Sequence, residues 1–205
     1  MKIIGLSGSV ASGKNFVAEI FTQLGCSVFD ADFQVHQLIK NDLEVIKKIK
    51  KNFPESFINN EIQRKILGEI VFANKRKLKI LEKIIHPKIQ QKYQEFLQEC
   101  LLKKTEFLIL NIPLLHESKY YKCDFTIAIL TNKGLRLQRF IAREKQKNPQ
   151  SLIKDLKLKF LQITKSQISN LERKKYANFV IKNDGLKSHL KKQVTEILEE
   201  IKRNN

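Results

Sequence analysis

The 205-residue sequence predicts an α/β fold with a five-stranded parallel sheet flanked by helices, a helical insertion and a lid. Short, continuous apolar runs such as residues 3–6 and 107–110 are typical of buried parallel strands. Between the runs, apolar residues recur every three or four positions, as amphipathic helices require. Because runs and helical patterns alternate, we expect the strands to be parallel.

A glycine loop with a lysine joins the first strand to the first helix. The run at residues 3–6 leads into Gly8-Ser9-Val10-Ala11-Ser12-Gly13-Lys14-Asn15, after which a helical pattern begins. Strand, loop and helix in this order are the layout of a P-loop NTPase-type fold. The loop N–H groups and the positive helix end can hold a triphosphate, and Lys14 can reach its outer phosphates. The expected nucleotide-binding residues are Gly8, Ala11, Ser12, Gly13, Lys14, Asn15 and Phe16.

The loop departs from its pattern at Asn15. The pattern has a Ser or Thr after the lysine, and this hydroxyl binds magnesium. The amide oxygen of Asn15 can approach a metal ion but is a poorer ligand, so Asn15 is the candidate metal residue. The alternative is a tight strand-to-helix turn with a surface lysine. Four of the seven glycines lie in the first 25 residues, which favours the phosphate loop.

The chain is strongly basic, with a net charge of +18 and a pI near 9.8. Such a charge favours polyanionic partners, including nucleic acid and phosphorylated small molecules. Lysine also recurs on faces that have no other signal, which indicates general compositional drift. Because no aromatic-basic interleaving marks a nucleic-acid surface, we do not expect such a partner.

Cysteine spacing and hydropathy limit the other classes of protein. The three cysteines are far apart and lack C-x-x-C spacing, so neither a zinc site nor a disulfide framework is indicated. The first apolar run is too short for a signal peptide, and no run approaches the roughly 18 residues of a membrane span. We therefore expect a soluble, cytoplasmic protein without a membrane partner. The sequence does not predict an oligomeric state.

Two carboxylates follow the second predicted strand, residues 27–29. Asp30 and Asp32 stand at its C-terminal end, where open parallel sheets bind ligands. Beside a phosphate loop they are candidates for a catalytic base or for magnesium contacts. Asp32 also precedes a helical pattern and is a possible N-cap. Both interpretations stay open at this point.

The block from residue 33 to residue 104 has mostly helical periodicity. It is too long for a simple strand crossover, so we expect an inserted helical domain that covers a substrate. His86-Pro87 is expected to interrupt its third helix, which then continues. His86 is a candidate substrate contact, although a lone histidine at a helix entrance is more often structural.

The second half of the chain returns to strands and helices. Pro113 should end the strand at residues 107–110 with a rigid turn, and residues 125–130 and 178–181 are the remaining strands. Arg139 and Arg143 lie four apart on one helical face, where two guanidinium groups suit a triphosphate. A solvated basic face is the alternative. The lysine-rich segment 144–157 looks mobile and suggests a lid.

Several ordered motifs resemble those of the dephospho-CoA kinase family, nearly from end to end. The family loop G-G-I-G-S-G-K-S-T is similar to residues 8–16, and its D-A-D-x-x-x-H/R segment to residues 30–36. Its I-x-H-P and P-L-L-F-E motifs resemble residues 84–87 and 113–117. Its lid-helix R-L-x-x-R, its glutamine and its A-D-x-V-I-x-N resemble residues 139–143, Gln167 and residues 177–183. Departures are Asn15, Phe16, His116 and Asn178.

The resemblance implies transfer of a phosphoryl group from ATP to the ribose 3′-hydroxyl of dephospho-CoA, with Mg²⁺ bridging the phosphates. It implies that Lys14 holds the β- and γ-phosphates, that Asp32 receives or orients the hydroxyl proton, and that Asn183 joins the nucleotide site. Arg139 and Arg143 would stabilise the moving phosphoryl group. The acceptor side would be shaped by His86, Pro113 and Leu114.

The implied organisation is a core at 1–32, 105–143 and 166–205, a CoA-binding insertion at 33–104, and a lid at 144–165. Two rival functions remain at this stage. One is another P-loop kinase for a nucleoside or nucleotide. The other is a catalytically weakened nucleotide-binding protein that docks on nucleic acid through its +18 charge.

Overall fold

A computed structural model describes residues 1–112 and 120–203. Backbone proximity divides the chain into two compact units, Met1–Phe29 with Lys104–Asn205, and Asp30–Lys103. In chain order the described elements are β1 (Lys2–Gly8), α1 (Lys14–Gln23), β2 (Ser27–Asp30), α2 (Ala31–Asn41), α3 (Leu43–Asn52), a 3-10 turn (Pro54–Ser56), β3 (Phe57–Ile58), β4 (Glu61–Ile62), α4 (Arg64–Phe72), α5 (Lys75–Leu102), β5 (Phe107–Asn111), β6 (Phe125–Leu130), α6 (Lys133–Lys147), α7 (Ile153–Lys165), α8 (Asn170–Lys175), β7 (Phe179–Lys182) and α9 (Lys187–Arg203).

The first unit is built on a sheet in which the described strands take the order β2-β5-β1-β6-β7. β1 is central and pairs in parallel with β5 and β6, so that Ile4 lies opposite both Ile109 and Phe125. β6 pairs in parallel with β7. The predicted five-stranded parallel sheet with flanking helices is confirmed.

The core of this unit lies between the sheet and the helices α1 and α9. Val17 and Phe21 of α1 and Val194 of α9 are fully buried in one cluster with the β1 residues Ile4 and Leu6. The continuous apolar runs are strands because both faces of the central strands are covered. The packing fixes the C-terminal end of β1, which leads into the glycine loop.

The second unit contains helices α2 to α5 and a small antiparallel hairpin, β3-β4, which the sequence analysis did not predict. Asn59 and Asn60 join the two strands with φ angles of 50° and 63°. Two consecutive positive φ angles are typical of a tight hairpin turn, and Asn tolerates them better than most residues. The two asparagines therefore form the turn of the hairpin.

Pro87 does not interrupt the third long helix, so that expectation is wrong. α5 runs from Lys75 to Leu102 with Pro87 inside it. Proline removes one helical hydrogen bond, but Ile85 and Ile89 are buried on either side of it. The burial of residues on both sides of Pro87 keeps the helix continuous despite the missing hydrogen bond.

The lysine-rich segment after Arg143 is helical except for residues 148–152. Glu144 accepts hydrogen bonds from Lys147 (3.1 Å) and from Lys159 of α7 (3.0 Å). Glu144 therefore ties the end of α6 to α7. Within the described residues, no helix is both long and apolar enough to cross a membrane.

Candidate active site

The loop between β1 and α1 has the backbone of a phosphate cradle. Ala11 and Gly13 both have positive φ, 58° and 88°, and Gly13 is the N-cap of α1. The N–H of Ser12 donates to the carbonyl of Ser9 (3.0 Å), which closes a turn within the loop. Left-handed residues turn successive N–H groups toward one side, and such concave N–H surfaces bind anions.

The two glycines that define the motif lie where a side chain would collide. A Cβ at Gly8 would overlap the hydroxyl of Ser12, and one at Gly13 would overlap the side-chain amide nitrogen of Asn183. The φ of Gly13 is also unfavourable for any other residue. Both glycines are therefore required by the close packing of the loop.

Two residues from the C-terminal half of the chain form hydrogen bonds to the backbone of the loop. The Asn183 side chain donates to the carbonyl of Ser12 (2.8 Å), and the Thr131 hydroxyl donates to the same oxygen (3.0 Å). All three residues are buried. Asn183, predicted as a nucleotide-site residue, thus lies against the loop. Thr131 was not predicted, because its position after β6 marks it only once the sheet order is known.

Two further side chains fasten the apex of the loop. Gln167 accepts a hydrogen bond from the N–H of Val10 (2.9 Å), and Asn170 accepts one from the Ser9 hydroxyl (3.3 Å). Val10 and Ala11 also pack against a small apolar cluster of α6 and α7, made of Phe140, Leu156 and Phe160. We call this cluster the lid core. The loop apex is therefore supported by α7 and by α6, the helix that carries Arg139 and Arg143.

Lys14 and Arg139, two of the cations predicted to bind phosphate, both border the loop. The Lys14 ammonium donates to the carbonyl of Ile112 (3.1 Å), which follows β5. Arg139 donates through Nη2 to the carbonyl of Asn183 (3.1 Å). Its Nη1 lies 3.8 Å from an ideal Cβ at Gly13 and is buried without a hydrogen-bond partner in the described part of the chain. Arg139 therefore carries one unsatisfied N–H group beside Gly13.

Arg143 lies farther along α6 in a different environment. Half of its side chain is exposed, and its Nε lies 3.5 Å from a carboxylate oxygen of Glu144. Its guanidinium stacks over the Phe140 ring at 5.5 Å. Arg139 therefore lies beside the loop, whereas Arg143 packs against the lid core next to Glu144.

Arg136, one turn before Arg139, was missed by the sequence analysis. It is buried, with its guanidinium 5.6 Å from the Phe160 ring. Burial lowers the pKa of Arg136 from its ordinary value. Its Nε and Nη1 have no hydrogen-bond partner among the residues the structure describes. The spacing 136, 139, 143 places three arginines on one helical face, and this spacing could have revealed it.

Two amide side chains lie at the loop position where P-loop proteins usually bind magnesium. Asn111, the last residue of β5, donates its side-chain N–H to the amide oxygen of Asn15 (3.2 Å). In P-loop NTPases the metal is held by the loop Ser or Thr and by an aspartate at the end of a neighbouring strand. Among the described residues, no group of three or more Asp, Glu, His or Cys could hold a metal ion. The amide pair does not fit the usual magnesium ligand set.

The acceptor-side candidates lie in the other unit or outside the described residues. Asp30 caps α2, since its carboxylate accepts from the N–H of Phe33 (2.9 Å), so the capping role considered for Asp32 belongs to Asp30. Asp32 is exposed in the first turn of α2, and His86 is exposed on α5. Pro113 and Leu114 fall outside the residues that the structure describes.

Two departures from the family pattern have structural explanations. The amide oxygen of Asn178 accepts from the N–H of Thr126 (2.8 Å), a role that a carboxylate fills equally well. Phe16 packs against the main core, with the Lys187 ammonium 5.2 Å from its ring. Phe16 is thus partly a packing residue, although it follows directly on the loop.

Comparison with known proteins shows which family the chain resembles. Residues 2–188 match the family model described as dephospho-CoA kinase. The dephospho-CoA kinase of Fusobacterium nucleatum is 37% identical over 202 residues, covering 97% of this chain and 98% of that protein. The solved dephospho-CoA kinase of Campylobacter jejuni is 31% identical with a TM-score of 0.66, covering 99% and 98% of the two chains. A crystal structure from Thermus thermophilus, 26% identical, gives a TM-score of 0.79 at 97% coverage of both chains.

Proposed function

The chain belongs to the dephospho-CoA kinase family. We propose that the glycine loop, the helices α6 and α7, and the helical unit each carry out a different part of the phosphoryl transfer. As a member of this family it is an ATP-dependent kinase that phosphorylates dephospho-CoA to give coenzyme A. The observation that best supports this assignment of roles is the position of Lys14 and Arg139, which both border the glycine loop between β1 and α1.

The loop is proposed to hold the donor. Its N–H groups and the N-terminus of α1 would bind the β-phosphate, and Lys14 would leave the carbonyl of Ile112 to reach the γ-phosphate. Phosphoryl transfer requires positioning and charge stabilisation more than covalent chemistry. A loop already fixed by Asn183 and Thr131 needs little reorganisation to provide both.

The arginines of α6 are proposed to neutralise charge on the moving phosphoryl group. The position of Arg139 supports this role, because its Nη1 lies beside Gly13 and has no hydrogen-bond partner in the described chain. Arg143 would exchange its contact with Glu144 for the phosphate. Arg136 would offer its buried N–H groups from the same face of the helix. Removing one such donor from a transition state typically lowers kcat by about 10²–10³.

The helical unit Asp30–Lys103 is proposed to bind dephospho-CoA. Asp32 would accept or orient the proton of the 3′-hydroxyl, because it presents an exposed carboxylate in the first turn of α2. His86, Pro113 and Leu114 are proposed to shape the acceptor side. Magnesium is proposed to arrive bound to the phosphates of ATP, since the loop offers amides at the usual metal position.

A coupled assay of ADP release tests the assignment. We expect turnover with dephospho-CoA, and no turnover when its 3′-hydroxyl is absent. Lys14→Ala and Arg139→Ala should lower kcat by at least about 10²-fold. The matched control is Lys187→Ala, which removes an exposed lysine near Phe16. Turnover with nucleosides but not with dephospho-CoA would instead assign another P-loop kinase. Salt-dependent RNA binding without turnover would favour the nucleic-acid alternative.

A further inference from the structure

The contact between Asn15 and Asn111 sets which end of the Asn15 amide is available to a ligand. Asn15 is the second residue of α1, and Asn111 is the last residue of β5, the strand beside β1. Asn111 is buried, whereas Asn15 is exposed. The buried amide donates to the oxygen of the exposed one (3.2 Å). This directs the N–H₂ group of Asn15 away from Asn111.

An amide held in this way has the opposite polarity to the hydroxyl usually found at the position. A Ser or Thr hydroxyl presents an oxygen lone pair to a cation. The Asn15 amide presents two N–H donors, because Asn111 engages its oxygen. Donors suit phosphate oxygens and repel a divalent cation.

The charge of the position is changed as well. An aspartate at the end of the neighbouring strand would attract a divalent cation, whereas the Asn111 amide is neutral. Both changes lower the affinity for a metal and raise the affinity for an anion. They fall on two side chains that share one hydrogen bond, and they are therefore linked.

We propose that Asn15 donates an N–H to a phosphate oxygen of ATP in place of a metal contact, and that Asn111 is the positioning residue that sets this orientation. The proposal rests on the proposed function of the loop as the ATP site. Its consequence is that ATP binds to this chain nearly as tightly without a divalent cation as with one.

The first test is calorimetric titration of the full chain with ATP, in EDTA and in millimolar Mg²⁺. We expect the two dissociation constants to agree within about threefold. Asn15→Ala, an exposed change that leaves the core intact, should weaken binding in EDTA about tenfold, as expected for one hydrogen bond to a charged group. A metal-dependent gain above 100-fold in the unaltered chain would overturn the proposal.

The second test reverses the polarity with one isosteric substitution. In Asn111→Asp the carboxylate can only accept, so the Asn15 amide must turn its oxygen toward the ligand. We expect ATP binding in EDTA to weaken more than tenfold and Mg²⁺ to restore it. Asn111→Leu, which removes the orienting hydrogen bond without adding charge, should weaken binding in EDTA without making it depend on Mg²⁺. If Asn111→Asp leaves the metal dependence unchanged, Asn111 does not set the orientation.

The third test uses Mn²⁺ alone, detected by electron paramagnetic resonance. We expect no binding to the unaltered chain below about 1 mM, and binding at least tenfold tighter to Asn15→Ser/Asn111→Asp. Tight Mn²⁺ binding by the unaltered chain would overturn the proposal, and its loss in Asp32→Asn would assign the metal to that carboxylate. If ATP fails to bind under every condition, the loop is not the ATP site, and the proposed function falls with the inference. ATP binding that requires metal overturns the inference alone.

Discussion

Arg136 differs from most charged side chains of the protein, because no anion in the described chain offsets the cost of burying its charge. The residue is 5% exposed, and two of its guanidinium nitrogens have no hydrogen-bond partner in the residues that the structure describes. A buried charge without a partner destabilises a fold, and replacing it with an apolar side chain of similar size often stabilises it. The presence of such a destabilising residue is explained if a bound ligand accepts hydrogen bonds from its unpaired N–H groups.

Arg136→Met should therefore stabilise the free protein and weaken ATP binding. We expect the unfolding midpoint to rise by about 2–4 °C, equivalent to about 1 kcal/mol for a chain of this size. KM for ATP should rise, because the phosphates lose buried donors. Thermal unfolding and steady-state kinetics measure the two effects. Arg143→Met, at a half-exposed position, is the control and should leave the midpoint nearly unchanged. A lower midpoint in Arg136→Met would show that stacking on Phe160 outweighs the burial of charge.

The helices α6 and α7 are joined by a small apolar cluster and by an ion pair. The lid core joins Phe140 to Phe160, whose ring centroids lie 5.6 Å apart, and Glu144 joins the helices by its hydrogen bond to Lys159. The same core supports the loop apex at Val10 and Ala11. Damage to this small core should therefore reach the nucleotide loop.

Phe160→Ala should loosen α7 and weaken ATP binding together. Truncating a buried Phe typically costs about 3–5 kcal/mol, and Phe160 is 1% exposed. Hydrogen exchange should accelerate in α6 and α7 before it does in β1 or β6, and ATP affinity should fall. Leu158→Ala is the matched control on the same helix, since Leu158 is 52% exposed and should change stability by less than about 0.5 kcal/mol. Unchanged ATP affinity in Phe160→Ala would show that the apex does not need the lid core.

The sequence predicted the elements whose signal is local. Buried parallel strands appear as continuous apolar runs, and the phosphate loop requires glycine at Gly8 and Gly13 for reasons of packing. The Asn15–Asn111 contact could not be predicted in this way, because it depends on β5 being the neighbour of β1. Pro87 was misjudged because burial on both sides, a tertiary property, outweighs a local helix-breaking preference.

The charge balance of the whole chain makes its stability sensitive to acid. Hydrogen bonds from Lys48 and then Lys88 lower the pKa of Glu44 from 4.5 to about 2. The pKa of Glu144 is also lowered, because hydrogen bonds from Lys159 and Lys147 outweigh the effect of burial, which acts in the opposite direction. Carboxylates with lowered folded pKa values stabilise the protein above pH 4.5, and this contribution is lost as the pH falls through the folded pKa. The 39 lysines and arginines are then opposed by ever fewer of the 21 acidic residues.

We expect the unfolding midpoint to be nearly constant between pH 7 and pH 5 and to fall steadily from pH 4.5 toward pH 2. Thermal unfolding at intervals of one pH unit measures the decline, and added salt should reduce it by screening the repulsion between cations. Glu44→Gln should make the decline shallower, because that carboxylate is the one held ionised to about pH 2. A midpoint independent of pH below 4.5 would contradict this explanation.

The contacts that hold the loop also govern the order in which a new chain becomes competent. The hydrogen bond from Asn183 to Ser12 spans 171 residues and that from Val10 to Gln167 spans 157, so the loop is synthesised well before the residues that hold it. Until those residues emerge, Gly13 lacks the side chain that fills the space beside it. A nascent chain therefore carries the motif without its supports. We therefore expect ATP capture to begin only after Gln167 and Asn183 have been synthesised.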